Sequence, residues 1–154
     1  MIKTNLIESG SGRSLHTFLD PSNHPTLVVS DYALLHGTFT AVTLTGAATQ
    51  TIVEARSKEG IVLTDLIIAS EKSTGGKISI QFTDGVNTIN ILQMTAVNQQ
   101  VNMAIPFRGN WAGWQGCDIK VVTTGVNIDG SVSVGYFRTP EETTLTFADW
   151  DARR

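Results

Sequence analysis

Residues 61–93 read IVLTDLIIASEKSTGGKISIQFTDGVNTINILQ, three apolar runs cut by two turn-forming clusters. In the middle run Ile78, Ile80 and Phe82 alternate with Lys77, Ser79, Gln81 and Thr83. A two-residue period sends successive side chains to opposite faces, the mark of a strand with one face buried. Asp84-Gly85 follows, and Ile89 and Ile91 resume the alternation beyond it. A two-residue Asp-Gly link suits the type I′ turn, whose positive φ angles match the twist of two antiparallel strands, so a hairpin is expected here. The first run differs. Val62, Leu66 and Ile68 are apolar at one parity and Leu63 and Ile67 at the other. That pattern predicts a strand covered on both faces, one by a second sheet and the other by a loop or another subunit.

The same grammar extends outward. Residues 27–35 and 38–44 read as strands separated by His36-Gly37. Residues 47–59 are ambiguous: Ala48, Ile52 and Ala55 have helical spacing, whereas Thr49, Thr51, Ile52 and Val53 favour a strand, and the strand is preferred because helices are absent elsewhere. Downstream, Val101, Met103, Ile105 and Phe107 alternate with polar or small residues. Pro106 has no amide hydrogen, so this strand should end there or lie at an edge. Residues 109–116, GNWAGWQG, read as a glycine-rich loop. Residues 117–123 and 126–139 read as a strand pair across Thr124-Gly125, with Gly130 and Gly135 marking a bulge or close approach. About eight strands with turn signals at roughly 8–12-residue spacing predict an all-β fold, a jelly-roll-like antiparallel β-sandwich.

Both ends depart from this pattern. Residues 1–26 hold Gly10, Gly12, Pro21 and Pro25, and their apolar Leu6, Ile7, Leu15 and Phe18 show no sustained period, which predicts an extended arm. Fully extended at about 3.3 Å per residue, the arm would reach on the order of 85 Å. The sandwich is expected over 27–139 and a short tail over 140–154, with Phe147 and Trp150 flanked by acids and Arg153-Arg154 at its end.

Composition narrows the function. One domain is the natural count for 154 residues. A net charge of −3, with only 16% charged residues and no basic cluster, argues against a protein that lives on nucleic-acid phosphates. Cys117, the single cysteine, makes no internal disulfide and reads as a small core residue. No apolar run approaches the ~20 residues of a membrane span, and MIKTNLIESG lacks a signal-peptide core, so a soluble product not exported by the general route is expected.

Catalytic chemistry finds little support. His16, His24 and His36 form no His-x-His or His-x-x-x-His pair, so neither metal nor cofactor is expected. Gly10-Ser11-Gly12 and Gly75-Gly76 lack the Lys-Ser/Thr of a phosphate loop. Asp65, inside an apolar strand, has no second acid to pair with, and reads as a strand-end or interface aspartate. Trp111 and Trp114 carry three open readings: a plug for the end of the sandwich, a subunit interface, or a flat platform for a ligand such as a sugar ring. Val62, Leu66 and Ile68 are candidates for the subunit interface.

A small, cysteine-poor, weakly charged sandwich spanning about residues 27–138, with a non-periodic arm before it and a short tail after it, resembles the head decoration, or cement, proteins of tailed bacteriophages. The resemblance implies a non-enzymatic jelly-roll protein made in the host cytoplasm. It would trimerise on the outer surface of the virion and bridge subunits of the major capsid protein. The arm residues Leu6, Ile7, Leu15 and Phe18, and the tail residues Phe147, Trp150, Arg153 and Arg154, are then the expected partner anchors. The alternative is a receptor- or carbohydrate-binding sandwich of a tail appendage, with the tryptophan segment as its site.

Overall fold

The computed structural model describes residues 5–7, 14–19, 25–28, 37–72, 75–96, 101–125 and 127–153. The chain divides into two compact units, Met1–Leu35 and His36–Arg154. In the first, β1 (Asn5–Ile7), β2 (Ser14–Leu19) and β3 (Pro25–Val28) form an antiparallel sheet in the order β1-β2-β3. Its registers include Leu6↔Leu15 and Thr17↔Leu27. Where an extended arm is expected, the described backbone is paired with itself, which satisfies its donors and acceptors locally. The boundary expected at residue 26 falls inside β3, with Pro25 at the first position of the strand, where a missing amide hydrogen is tolerated. The side chains of Leu6, Ile7, Leu15, His16 and Phe18 lie outside the described residues, as do His24, His36 and Arg154 entirely.

Among its described residues the second unit holds eight strands, in two antiparallel sheets. They are β4 (Thr38–Thr45), β5 (Ala48–Val53), β6 (Gly60–Lys72), β7 (Gly76–Thr83), β8 (Thr88–Ala96), β9 (Val101–Ala112), β10 (Asp118–Thr124) and β11 (Asp129–Thr139). One sheet has the order β4-β11-β6-β9 and the other β5-β10-β7-β8. The pairs are nested. β7 meets β8, β6 meets β9, β5 meets β10 and β4 meets β11, so that Phe82↔Ile89, Leu66↔Ile105, Gln50↔Val121 and Val42↔Val132 all enclose one turn. This is a single long hairpin rolled over on itself, the jelly-roll arrangement. β5 settles the ambiguous segment as a strand.

The tip of the roll is the Asp84-Gly85 turn, with a different geometry from the one expected. Strands end at Thr83 and restart at Thr88, leaving a four-residue loop. The Asp84 carboxylate accepts from the amides of Val86 at 2.9 Å and Asn87 at 2.6 Å, a side-chain-made turn that displaces the two-residue type I′ form. Gly85 sits at φ 90°, where glycine is needed. The segments expected to pair across Thr124-Gly125 do not: β10 and β11 lie in different sheets. The link instead crosses over, and a Cβ on Gly76 would overlap the Thr124 carbonyl.

β6 explains the two-sided apolar run. Its register against β11 steps from Asp65↔Gly135 to Leu63↔Tyr136, leaving Thr64 unpaired in a bulge. One extra residue reverses the parity. Ile61 and Leu63 point into the core before the bulge, and Leu66 and Ile68 after it, each with at most 1% exposure. The second apolar face is thus the same core entered out of phase. Leu66 and Ile68 are not available to a partner subunit, and Val62 is buried within its own chain, opposite Phe137 and Ala112. Each fully buried aliphatic side chain here contributes roughly 1.5–3 kcal/mol before entropy is charged.

Candidate functional site

Beyond the first unit and the β6 residues already placed, three places bear on function: the tryptophan segment, the tail and the outer sheet faces. Residues 109–112 belong to β9 rather than to a loop, and β9 lies at a sheet edge, as Pro106 requires. Between Pro106 and Trp111 the strand bulges, because those two positions face Asp65 and Leu63 on β6. The two indoles therefore separate. Trp111 stays 46% exposed and stacks on Phe107, centroids 5.8 Å apart at 22°. Trp114 is 1% exposed and closes the end of the core, edge-on to Phe82 at 6.3 Å. Its Nε1–H donates to Asp84 Oδ2 at 2.8 Å.

Asp84 joins this plug to the tip of the roll. Burial pushes its carboxyl upward. Hydrogen bonds from the Asn87 side chain, the amides of Asn87 and Val86, and the Trp114 indole outweigh that and hold it well below the usual carboxylate range. Cys117 is fully buried beside the same region, and burial pushes its thiol up to about 12, so it is an inert core residue.

The tail folds back onto the plug. Helix α1 (Phe147–Asp151) starts at Thr146, whose hydroxyl accepts from the Asp149 amide and donates to its carboxylate. Phe147 and Trp150 lie 4.9 Å and 5.1 Å from the Trp114 ring. The Trp150 Nε1–H donates to the Ala112 carbonyl at 2.8 Å, and the Gln115 amide to that of Leu145. These two aromatics, expected as partner anchors, are partly buried against their own sandwich. Arg153 is exposed.

The outer faces of the sheets differ in the side chains they carry, mostly polar on one, mostly small or apolar on the other. On β5-β10-β7-β8 the rows are Thr51-Lys120-Gln81-Asn90 and Thr49-Val122-Ser79-Gln93, with Lys77 below. Lys120 pairs with Asp118 at 3.2 Å and Gln81 with Asn90 at 2.9 Å, as on a solvated surface. On β4-β11-β6-β9 the rows are Phe39-Gly135-Asp65-Pro106, Ala41-Ser133-Ile67-Ala104 and Thr43-Ser131-Ala69-Asn102. Eleven of these twelve positions are uncharged. Phe39 is 65% exposed and Ile67 44%. Asp65 is therefore a face residue bordering Gly135, where an added Cβ would crowd Thr64, Phe39 and Asp65 together. A flat patch of small and apolar side chains is suited to protein contact.

The sequence reading missed this face. Its signal was the outward parity of TFTAVTLT, GSVSVG and VNMAIP, which is uncharged throughout and small except for Phe39, but the Thr64 bulge hid Ile67 among the core residues. No group of three or more metal-ligating side chains occurs among the described residues. No described helix is long and apolar enough to cross a membrane.

No protein-family model and no curated protein matches the sequence. Among solved structures, the chain is similar to a pentameric capsid protein isolated from metagenomic phage sequences, at 15% identity and a TM-score of 0.42, over 75% of this chain and 68% of that one. A second structure of such a capsid protein, solved by iodide phasing, gives the same identity and TM-score over 70% of its length. A Bacillus endospore appendage, from a family of disulfide-linked pili, is similar at 12% identity and a TM-score of 0.39, over 71% of this chain and 88% of that one.

Proposed function

We propose that this chain is a non-enzymatic structural protein of a virus particle, a decoration protein that docks on the outer surface of a phage head and bridges subunits of the major capsid protein. The observation that supports this reading is the contrast between the two outer faces. The polar face of β5-β10-β7-β8 suits solvent, and the uncharged face of β4-β11-β6-β9 suits a protein shell. The Met1–Leu35 unit, with Leu6, Ile7, Leu15 and Phe18, supplies the second hold. Self-association belongs to the proposal, while a trimeric count follows from the family resemblance alone. A glycan-binding reading now depends on Trp111, one ring face of which is covered by Phe107. Glycan binding lost in Trp111→Ala would favour it.

Co-sedimentation with undecorated heads tests the proposal. Deleting residues 1–20 should leave the thermal transition of the sandwich unchanged and abolish binding. Ile67→Lys, at an exposed position, should weaken binding at least tenfold, because it places a charge in a face that must be desolvated. Wild-type affinity in the truncated protein would remove the arm as a clamp. Wild-type affinity in both variants would sink the reading.

A further inference from the structure

Among the described residues, the four edge strands of the sandwich sheets, each with a single neighbour, are not equivalent. β9 carries Pro106 and loses register against β6, and β5 and β8 each break register with their single neighbour. β4 alone keeps an unbroken ladder, from Thr38↔Tyr136 to Thr45↔Asp129. Its sequence, TFTAVTLT, contains no charge, proline or glycine. Sheet edges present unpaired backbone donors and acceptors, and soluble proteins blunt them with charges, prolines, bulges or short strands. β4 uses none of these devices.

We infer that β4 is a pairing edge whose occupant is β4 of a second copy of this chain, running antiparallel about a two-fold axis. A two-fold contact needs one self-complementary patch, and β4 is one. Centred on Ala41, the pairing sets the smallest side chain of the strand against itself, Phe39 against Thr43 and Thr40 against Val42. Outward residues meet outward residues and inward meet inward, as the two-residue period demands. No like charges oppose each other, and an aromatic ring faces a β-branched side chain. The product is a continuous eight-stranded sheet that doubles the uncharged face described above. This inference stands whether or not the occupant of that face is a capsid.

The area sets the strength. An eight-residue edge is about 27 Å long at about 3.4 Å per residue. A contact one strand deep stays below the ~1,200 Å² of stable complexes, so the pair forms in a concentration-dependent way. Sedimentation velocity from micromolar to millimolar protein should show the mass of the base unit doubling. Ala41→Lys and Ala41→Glu, both at an exposed position, should each abolish the doubling, and an equimolar mixture of the two should restore it. Restoration by the mixture excludes misfolding as the cause. Ala41→Cys should crosslink to a dimer on oxidation, whereas Gln93→Cys at the β8 edge should not; native Cys117 is fully buried and silent. No doubling at millimolar concentration, persistence of association in both charge variants, or equal crosslinking at Ala41 and Gln93 would each overturn the inference. Loss of head binding in Ala41→Lys without wild-type doubling would overturn it too, by giving the edge to a different chain.

Discussion

Asp84 and Trp114 are thirty positions apart in sequence and form one structural unit. The carboxylate serves two turn amides, the Asn87 side chain and the N–H of the buried Trp114 indole, so its loss weakens the turn and the hold on that indole together. Asp84→Asn should destabilise the protein by about 2 kcal/mol at neutral pH, read as a lower thermal midpoint. The pH dependence has a definite sign. The folded pKa is depressed below the ordinary 3.8, so the stabilisation is complete above that value and is lost as pH falls below it. The gap between wild type and variant should narrow from pH 7 to pH 2.5. A gap independent of pH would mean that charge is not what holds the turn.

At the level of elements, the tail behaves as part of the sandwich. Helix α1 is one and a half turns long and would not form alone; Trp114 and the Thr146 cap hold it in place. Phe147→Ala removes a ring 4.9 Å from Trp114 while keeping all three tryptophans. It should cost on the order of 2 kcal/mol and shift tryptophan emission to the red as water reaches Trp114. Unchanged emission would show that α1 does not shield the indole. The sequence made the strands legible because alternation reports burial directly, as in β7. It made Trp114, Phe147 and Trp150 illegible as one cluster, because no local period connects residues brought together by the closure of the roll. Likewise Asp84-Gly85 located a turn but not its type, which the acceptors on Asp84 determine. In β6 a single bulged residue turned a one-sided strand into an apparently two-sided one, and with it the expected subunit interface moved into the core.

For the whole molecule, nesting means that sequence separation grows from the tip outward, from Thr83↔Thr88 to Thr38↔Tyr136. Long-range pairing of this kind folds slowly, since loop-closure entropy precedes the contacts that offset it. The nested order has a second consequence, which concerns division of the chain. Cut at Val86, which is 90% exposed at the tip, the chain becomes a fragment bearing β1 to β7 and a fragment bearing β8 to β11. In both sheets the strands of the two fragments alternate, so every ladder joins one fragment to the other. Neither piece contains a partner for any of its own sandwich strands. The β8–β11 fragment alone should therefore give a coil spectrum by far-UV circular dichroism, the other should show no strand signal beyond that of the β1-β2-β3 sheet, and mixing them should restore the sandwich spectrum and its cooperative transition. Strand structure in the β8–β11 fragment on its own would contradict the nested pairing. If complementation succeeds, the turn at Val86 is a natural site for a conditional split, at which two separately produced halves report their meeting by folding.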